Sequence, residues 1–232
     1  MKRHPRRKRW LVRMFRTVTD RVPRLRPLLP AAILAATWPA CHPGEGPLVA
    51  FLGDSLTSGW RLREDEAWPD LLGRTLAGQG RPIRVLNAGV SGETAAEGLA
   101  RLRDVLARKP DVLVVALGIN DGMNGRSLEE AEAALRRILE AGRTSGAGLL
   151  LVGTRIPKER YGAEYALRFE EMYVRLAAEQ KVALVPDLLA GVAGHQELLF
   201  PDALHPNTAG HGRLAKNVRL HLALVLARRG AS

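Results

Sequence analysis

From residue 48 onward the chain repeats one pattern five times: a short run that is apolar throughout, save for Arg84 in the second, then a helix-length amphipathic stretch. The runs are Leu48 to Leu52, Ile83 to Leu86, Val112 to Leu117, Leu149 to Val152 and Val182 to Val185, each closed by Gly, Asn or Pro. A strand with one wet face alternates apolar and polar residues, whereas an unbroken run suits a strand covered on both faces, as in a parallel sheet between helical layers. Residues 67–76, 94–107, 128–142, 163–180 and 209–228 have the length and patterning of the covering helices. Strict alternation of the two predicts an α/β fold, a three-layer α/β/α sandwich around a five-stranded parallel sheet of flavodoxin-like type. Right-handed crossovers bring the carboxyl ends of all the strands to one edge. Any site is therefore expected in the loops along that edge.

Charge separates this body from what precedes it. Residues 1–46 hold 11 Lys/Arg and 2 Asp/Glu, a net of +9, out of a formal +11 for all 232 residues. The remaining 186 residues carry only +2, so the basicity is no argument for a nucleic-acid partner of the folded body. Residues 1–46 read as a basic leader with a signal-like apolar segment, Leu28 to Trp38, and residues 47–232 as one catalytic domain. The leader predicts export to the periplasm or cell envelope, with membrane attachment through the leader itself or through a lipidated Cys41. A start codon downstream of the Arg-rich part is the alternative. Cys41 is the single cysteine, so neither a disulfide framework nor a thiol nucleophile is available to the body. No histidine pair has metal-ligand spacing, and neither a metal nor a cofactor is expected. The domain is expected to act as a monomer on a small molecule.

Ser55 stands where the first strand meets the next segment, in Gly53-Asp54-Ser55-Leu56. Serine in that place commonly caps a helix; a nucleophilic serine needs in addition a base and a group to orient the base. Asp202-Ala203-Leu204-His205 supplies both on one turn just before the last helix, where Pro206 restrains His205 to extended backbone and Asn207 or Thr208 can cap the helix. His195, His211 and His221 are the other histidines of the body, on a loop and on the final helix. An oxyanion needs donors. The backbone N–H of Ser55, that of Gly92 in Ser91-Gly92-Glu93-Thr94, and the side-chain amide of Asn120 in Gly118-Ile119-Asn120-Asp121 all fall at ends of the first three strands. Glu93 reads as a first-turn helix acid, and Trp60 and Trp68 as core, with a place along the substrate channel as the alternative.

Four blocks, GDSL at 53–56, the glycine at 92, GIND at 118–121 and DALH at 202–205, resemble those of the GDSL or SGNH hydrolases. The likeness extends through Ala67 to Leu72, Asn87-Ala88, Asn120-Asp121-Gly122 with Gly125, Arg155-Ile156-Pro157 through Tyr161-Gly162, and His205-Pro206-Asn207, and it is similar in detail to the bacterial arylesterase, acyl-CoA thioesterase and lysophospholipase branch. The resemblance implies metal-free hydrolysis of acyl or aryl esters or thioesters through an acyl-enzyme. In it Ser55 would be nucleophile, His205 base and Asp202 its orienting carboxylate, with Ser55, Gly92 and Asn120 as the oxyanion hole. Met123, Ile156, Pro157 and Tyr161 would border the acyl pocket. Ile119 departs from the branch, where a second glycine is common. A deacylase of cell-envelope carbohydrate or lipid uses the same chemistry; a non-catalytic binding protein with a basic leader is the alternative of another kind.

Overall fold

The computed structural model describes residues 46–230, so the leader with Cys41 lies outside the described residues. Five strands, β1 (Leu48–Gly53), β2 (Arg84–Gly89), β3 (Val112–Ala116), β4 (Gly148–Val152) and β5 (Ala183–Val185), form one parallel sheet in the order β2-β1-β3-β4-β5. The helices are α1 (Ser55–Ser58), α2 (Trp68–Gly78), α3 (Ala95–Leu106), α4 (Ile119–Met123), α5 (Leu128–Thr144), α6 (Lys158–Tyr161), α7 (Ala163–Gln180) and α8 (Thr208–Gly230).

The unbroken apolar runs are explained by what lies on each face. Alternate strand residues Ala50, Leu52, Leu113, Val115 and Leu151 pack with α3, α5 and α7, while Val49, Phe51, Val112, Val114, Leu150 and Val152 pack with α2 and α8. Each large side chain so buried contributes roughly 1.5–3 kcal/mol of transfer free energy. Trp68 is wholly buried and meets Phe51 edge to face at 5.1 Å, the core position expected of it. Caps set the helix starts: Thr94 and Glu97 make a reciprocal capping box on α3, Ser127 accepts from Glu130 on α5, and Asn207 Oδ1 accepts from the Gly210 N–H at 3.1 Å on α8.

Register aligns the carboxyl ends, with Gly53 opposite both Gly89 and Ala116. The chain reverses its direction of travel across the sheet at β1, whose neighbours are β2 on one side and β3 on the other. Ligands of such sheets bind at this switch point. It is where Ser55 and Asn120 follow their strands.

Candidate active site

β1 ends on Gly53, where a Cβ would lie 2.1 Å from Thr57 Oγ1 and 3.0 Å from the Ala116 carbonyl, so only glycine lets α1 fold back this tightly. Asp54, not Ser55, caps α1: its Oδ1 accepts from the Leu56 N–H at 2.9 Å. That leaves the Ser55 hydroxyl free, and His205 Nε2 stands 3.1 Å from it. On the other side of the ring, Nδ1 lies 3.0 Å from Asp202 Oδ2. Asp202 Oδ1 accepts from the N–H groups of Leu204 and His205, both at 3.0 Å. Partial burial pushes this carboxyl up, but the backbone N–H groups of His205 and Leu204 and then the His205 ring outweigh it and hold Asp202 at about 2. The turn depends on Ala203 at φ +56°, a left-handed conformation that costs a residue with a Cβ roughly 1–2 kcal/mol. The turn is tied back by the Phe200 N–H donating to the His205 carbonyl at 2.8 Å.

His211 and His195 are elsewhere. His211 is buried on α8 and accepts from the Trp68 N–H at 3.1 Å, and burial, with His205 adding, lowers it to about 4. His195 is exposed beside Glu197.

Asn120 lies in the first turn of α4, behind Gly118 at φ +111°, where a Cβ would meet Tyr173 Oη at 2.5 Å. One amide hydrogen of Asn120 donates to the Glu93 carbonyl at 2.8 Å, which ties α4 to the loop carrying Gly92. Gly92 has φ +84° and open space where a side chain would start. Beside Ser55 and His205 opens a pocket of about 520 Å³ whose lining includes Leu56, Ile119, Met123, Ile156, Pro157 and Leu204, together with Arg155. This volume is within the range of small-molecule sites. Ile119, the departure from the branch pattern, is thus part of the pocket wall.

Three expectations need correction. Tyr161 does not line the pocket: it ends α6 with its ring against the core and its hydroxyl buried. Trp60 is not core. The loop after α1, opened by Gly59 at φ +76°, sets the Trp60 ring against His205 with centroids 4.2 Å apart and the planes tilted by 36°, and the Arg61 guanidinium lies 4.1 Å from the Trp60 ring centroid. Glu93 precedes the α3 cap and forms an ion pair with Arg101, while Glu97 is the first-turn acid. Nothing in the periodicity marks Trp60 or Arg101 as site residues; proximity to the motif blocks was the available signal.

Residues 51–213 match the GDSL-like Lipase/Acylhydrolase family. Over 168 residues the chain is 40% identical to the esterase TesA of Pseudomonas aeruginosa, covering 72% of this chain and 83% of that one. It is 37% identical over 157 residues to the thioesterase 1/protease 1/lysophospholipase L1 of Escherichia coli, covering 67% and 74%. A crystal structure of TesA superposes with a TM-score of 0.74 at 38% identity, over 77% of this chain and 99% of that one.

Proposed function

The chain belongs to the GDSL-like lipase/acylhydrolase family and is an esterase/thioesterase of SGNH type, and from that premise we propose that it hydrolyses acyl or aryl esters through an acyl-enzyme on Ser55. The observation that carries this reading is the continuous chain from Ser55 Oγ to His205 Nε2 at 3.1 Å and from His205 Nδ1 to Asp202 at 3.0 Å. His205 takes the Ser55 proton as Oγ attacks the carbonyl carbon, and Asp202 stabilises the imidazolium that forms. The oxyanion is received by the N–H groups of Ser55 and Gly92 and by the second amide hydrogen of Asn120. The tetrahedral intermediate collapses as His205 Nε2–H protonates the leaving alkoxide or thiolate. Water, deprotonated by His205, then attacks the acyl carbon, and Ser55 leaves with its proton restored. The acyl group occupies the pocket bordered by Met123, Ile156 and Pro157, whose size and apolar walls suit a chain longer than acetyl. Acyl-CoA and lysophospholipid are the substrate candidates with such a chain.

A p-nitrophenyl ester series from acetate to decanoate tests this reading. Ser55→Ala should lose about 10⁴-fold or more in kcat, with kcat/KM of the parent rising beyond acetate. A Ser55→Ala variant as fast as the parent overturns it. The leader supports export, and mass spectrometry of the mature N-terminus in the native host would read cleavage, or lipid on Cys41.

A further inference from the structure

The loop that carries Gly92 is tied to the β1 end by the Val90 N–H, which donates to the Gly53 carbonyl at 2.9 Å, and to α1 by the Ser91 and Ser58 hydroxyls at 3.1 Å, but its side chains are little packed. Val90, Ser91 and Gly92 are exposed, and no atom lies within 4 Å of where a Gly92 Cβ would be. Yet a hydrogen-bond donor for an oxyanion must be preorganised, since about 1 Å of misplacement can cost ~10²-fold in rate. Glu93, the next residue, is buried, and both of its carboxylate oxygens are engaged by Nε and Nη2 of Arg101 on α3. The same Nη2 donates to the Ala88 carbonyl at 2.7 Å and reaches the Gly53 carbonyl at 3.4 Å. Glu93 also offers its own carbonyl to Asn120 at 2.8 Å. One guanidinium therefore spans the ends of β1 and β2, the residue after Gly92, and through it Asn120.

We propose that Glu93 and Arg101 are a positioning pair that sets the spacing of the Gly92 and Asn120 donors, and so controls kcat without contributing to acyl binding. The geometry explains why arginine is required. A planar fork can grip a carboxylate with two donors and still direct a hydrogen at a backbone carbonyl, which a lysine ammonium on its single stem cannot reproduce. It also explains the location: neither Arg101 nor the Glu93 side chain borders the acyl pocket. The inference rests on the reading of Gly92 and Asn120 as oxyanion donors.

The test compares Glu93→Gln, Arg101→Lys and the double variant with Asn120→Ala as reference, measuring kcat and KM on p-nitrophenyl butyrate and folding by circular dichroism. The expected result is a fall in kcat of about 10- to 100-fold for each positioning variant, KM within about threefold of the parent, and a double variant no worse than the poorer single, because both remove one unit. Glu93→Gln keeps the side-chain volume, and each rate is referred to the folded fraction, so loss of fold is not mistaken for loss of positioning. An unchanged kcat in both single variants, with Asn120→Ala impaired, overturns the positioning role alone. So does a KM that rises in step with the loss of rate. A fully active Asn120→Ala overturns the oxyanion reading and the pair's role with it.

Discussion

Asp54 offers a quantitative test of the packing beneath Ser55. Its carboxyl is 1% exposed, and burial pushes it up from 3.8 to about 7, against the pull of the Leu56 N–H and with the charges of Glu93 and Asp121 adding to the rise. A raised folded-state value means that the native chain keeps a proton that the unfolded chain has released. Stability from this group is therefore complete below about 3.8 and is lost as pH climbs through 7. At about 1.4 kcal/mol per unit of pKa, the whole loss is about 4 kcal/mol. Asp54→Asn keeps the size of the side chain and an oxygen for the Leu56 N–H but cannot ionise. Urea unfolding of parent and variant at pH 5 and pH 8 should give a free-energy difference that moves in the variant's favour by about 2–3 kcal/mol between the two. Taking the difference cancels groups that do not interact with Asp54, such as Asp187, which burial also raises, and His211, which burial lowers. A difference that stays flat with pH would refute the claim that Asp54 is buried as a titrating acid.

His211 should remain neutral at pH 5, because its folded value of about 4 lies below the ordinary 6.5; histidine ring resonances followed by NMR check this, and a midpoint near 6.5 would contradict it. The sign is opposite to that of Asp54: this depressed group contributes stability above about 6.5 that is lost as pH falls through 4. Gly89→Ala should destabilise by about 3 kcal/mol or fail to fold, since its Cβ would lie 2.3 Å from the Ser58 backbone nitrogen, and thermal melts read the effect. Gly92→Ala meets no neighbour and should cost only the roughly 1–2 kcal/mol of left-handed strain, measured in the same melts. Trp60→Ala should lower kcat by about tenfold, the size of a lost ring contact on His205, with Trp60→Tyr retaining most of it in the same ester assay.

The sheet and its main helices are readable because burial on both faces of the central strands β1 and β3 writes itself into sequence as unbroken apolar runs, and the edge strands carry weaker versions of them, with Arg84 inside that of β2. Where that signal stopped, so did the reading. The second run ends at Leu86, yet β2 continues through Asn87, Ala88 and Gly89, because Asn87 Nδ2 donates to the Thr57 carbonyl at 2.9 Å and its Oδ1 accepts from the Gly89 N–H at 3.0 Å. A polar side chain does there what an apolar neighbour does elsewhere. Helices α4 and α6, of 5 and 4 residues, are too short to display a 3.6-residue period. The direction of Tyr161 is hidden for a related reason: sequence nearness to Ile156 and Pro157 is no guide to direction once a short helix turns the ring toward the core.

Within the site, legibility divides between residues whose chemistry is irreplaceable and those that hold them. Under the proposed mechanism Ser55, His205 and Asp202 must be a hydroxyl, an imidazole and a carboxylate, and Gly118 must lack a Cβ because the Tyr173 hydroxyl occupies that space while donating to the Leu117 carbonyl at 3.0 Å. Arg101 and Tyr173 look from sequence like ordinary helix residues, one polar and one apolar. Their effect depends on tertiary direction: Arg101 on α3 grips Glu93 and the end of β2, and Tyr173 on α7 closes the end of β3 behind Asn120. The donors of the proposed oxyanion hole are thus held from two helices that do not themselves supply any of them. Motif residues alone transplanted onto a similar sheet would therefore lack the spacing that Glu93, Arg101 and Tyr173 impose, since a preorganised site needs its supporting contacts as much as its reacting groups.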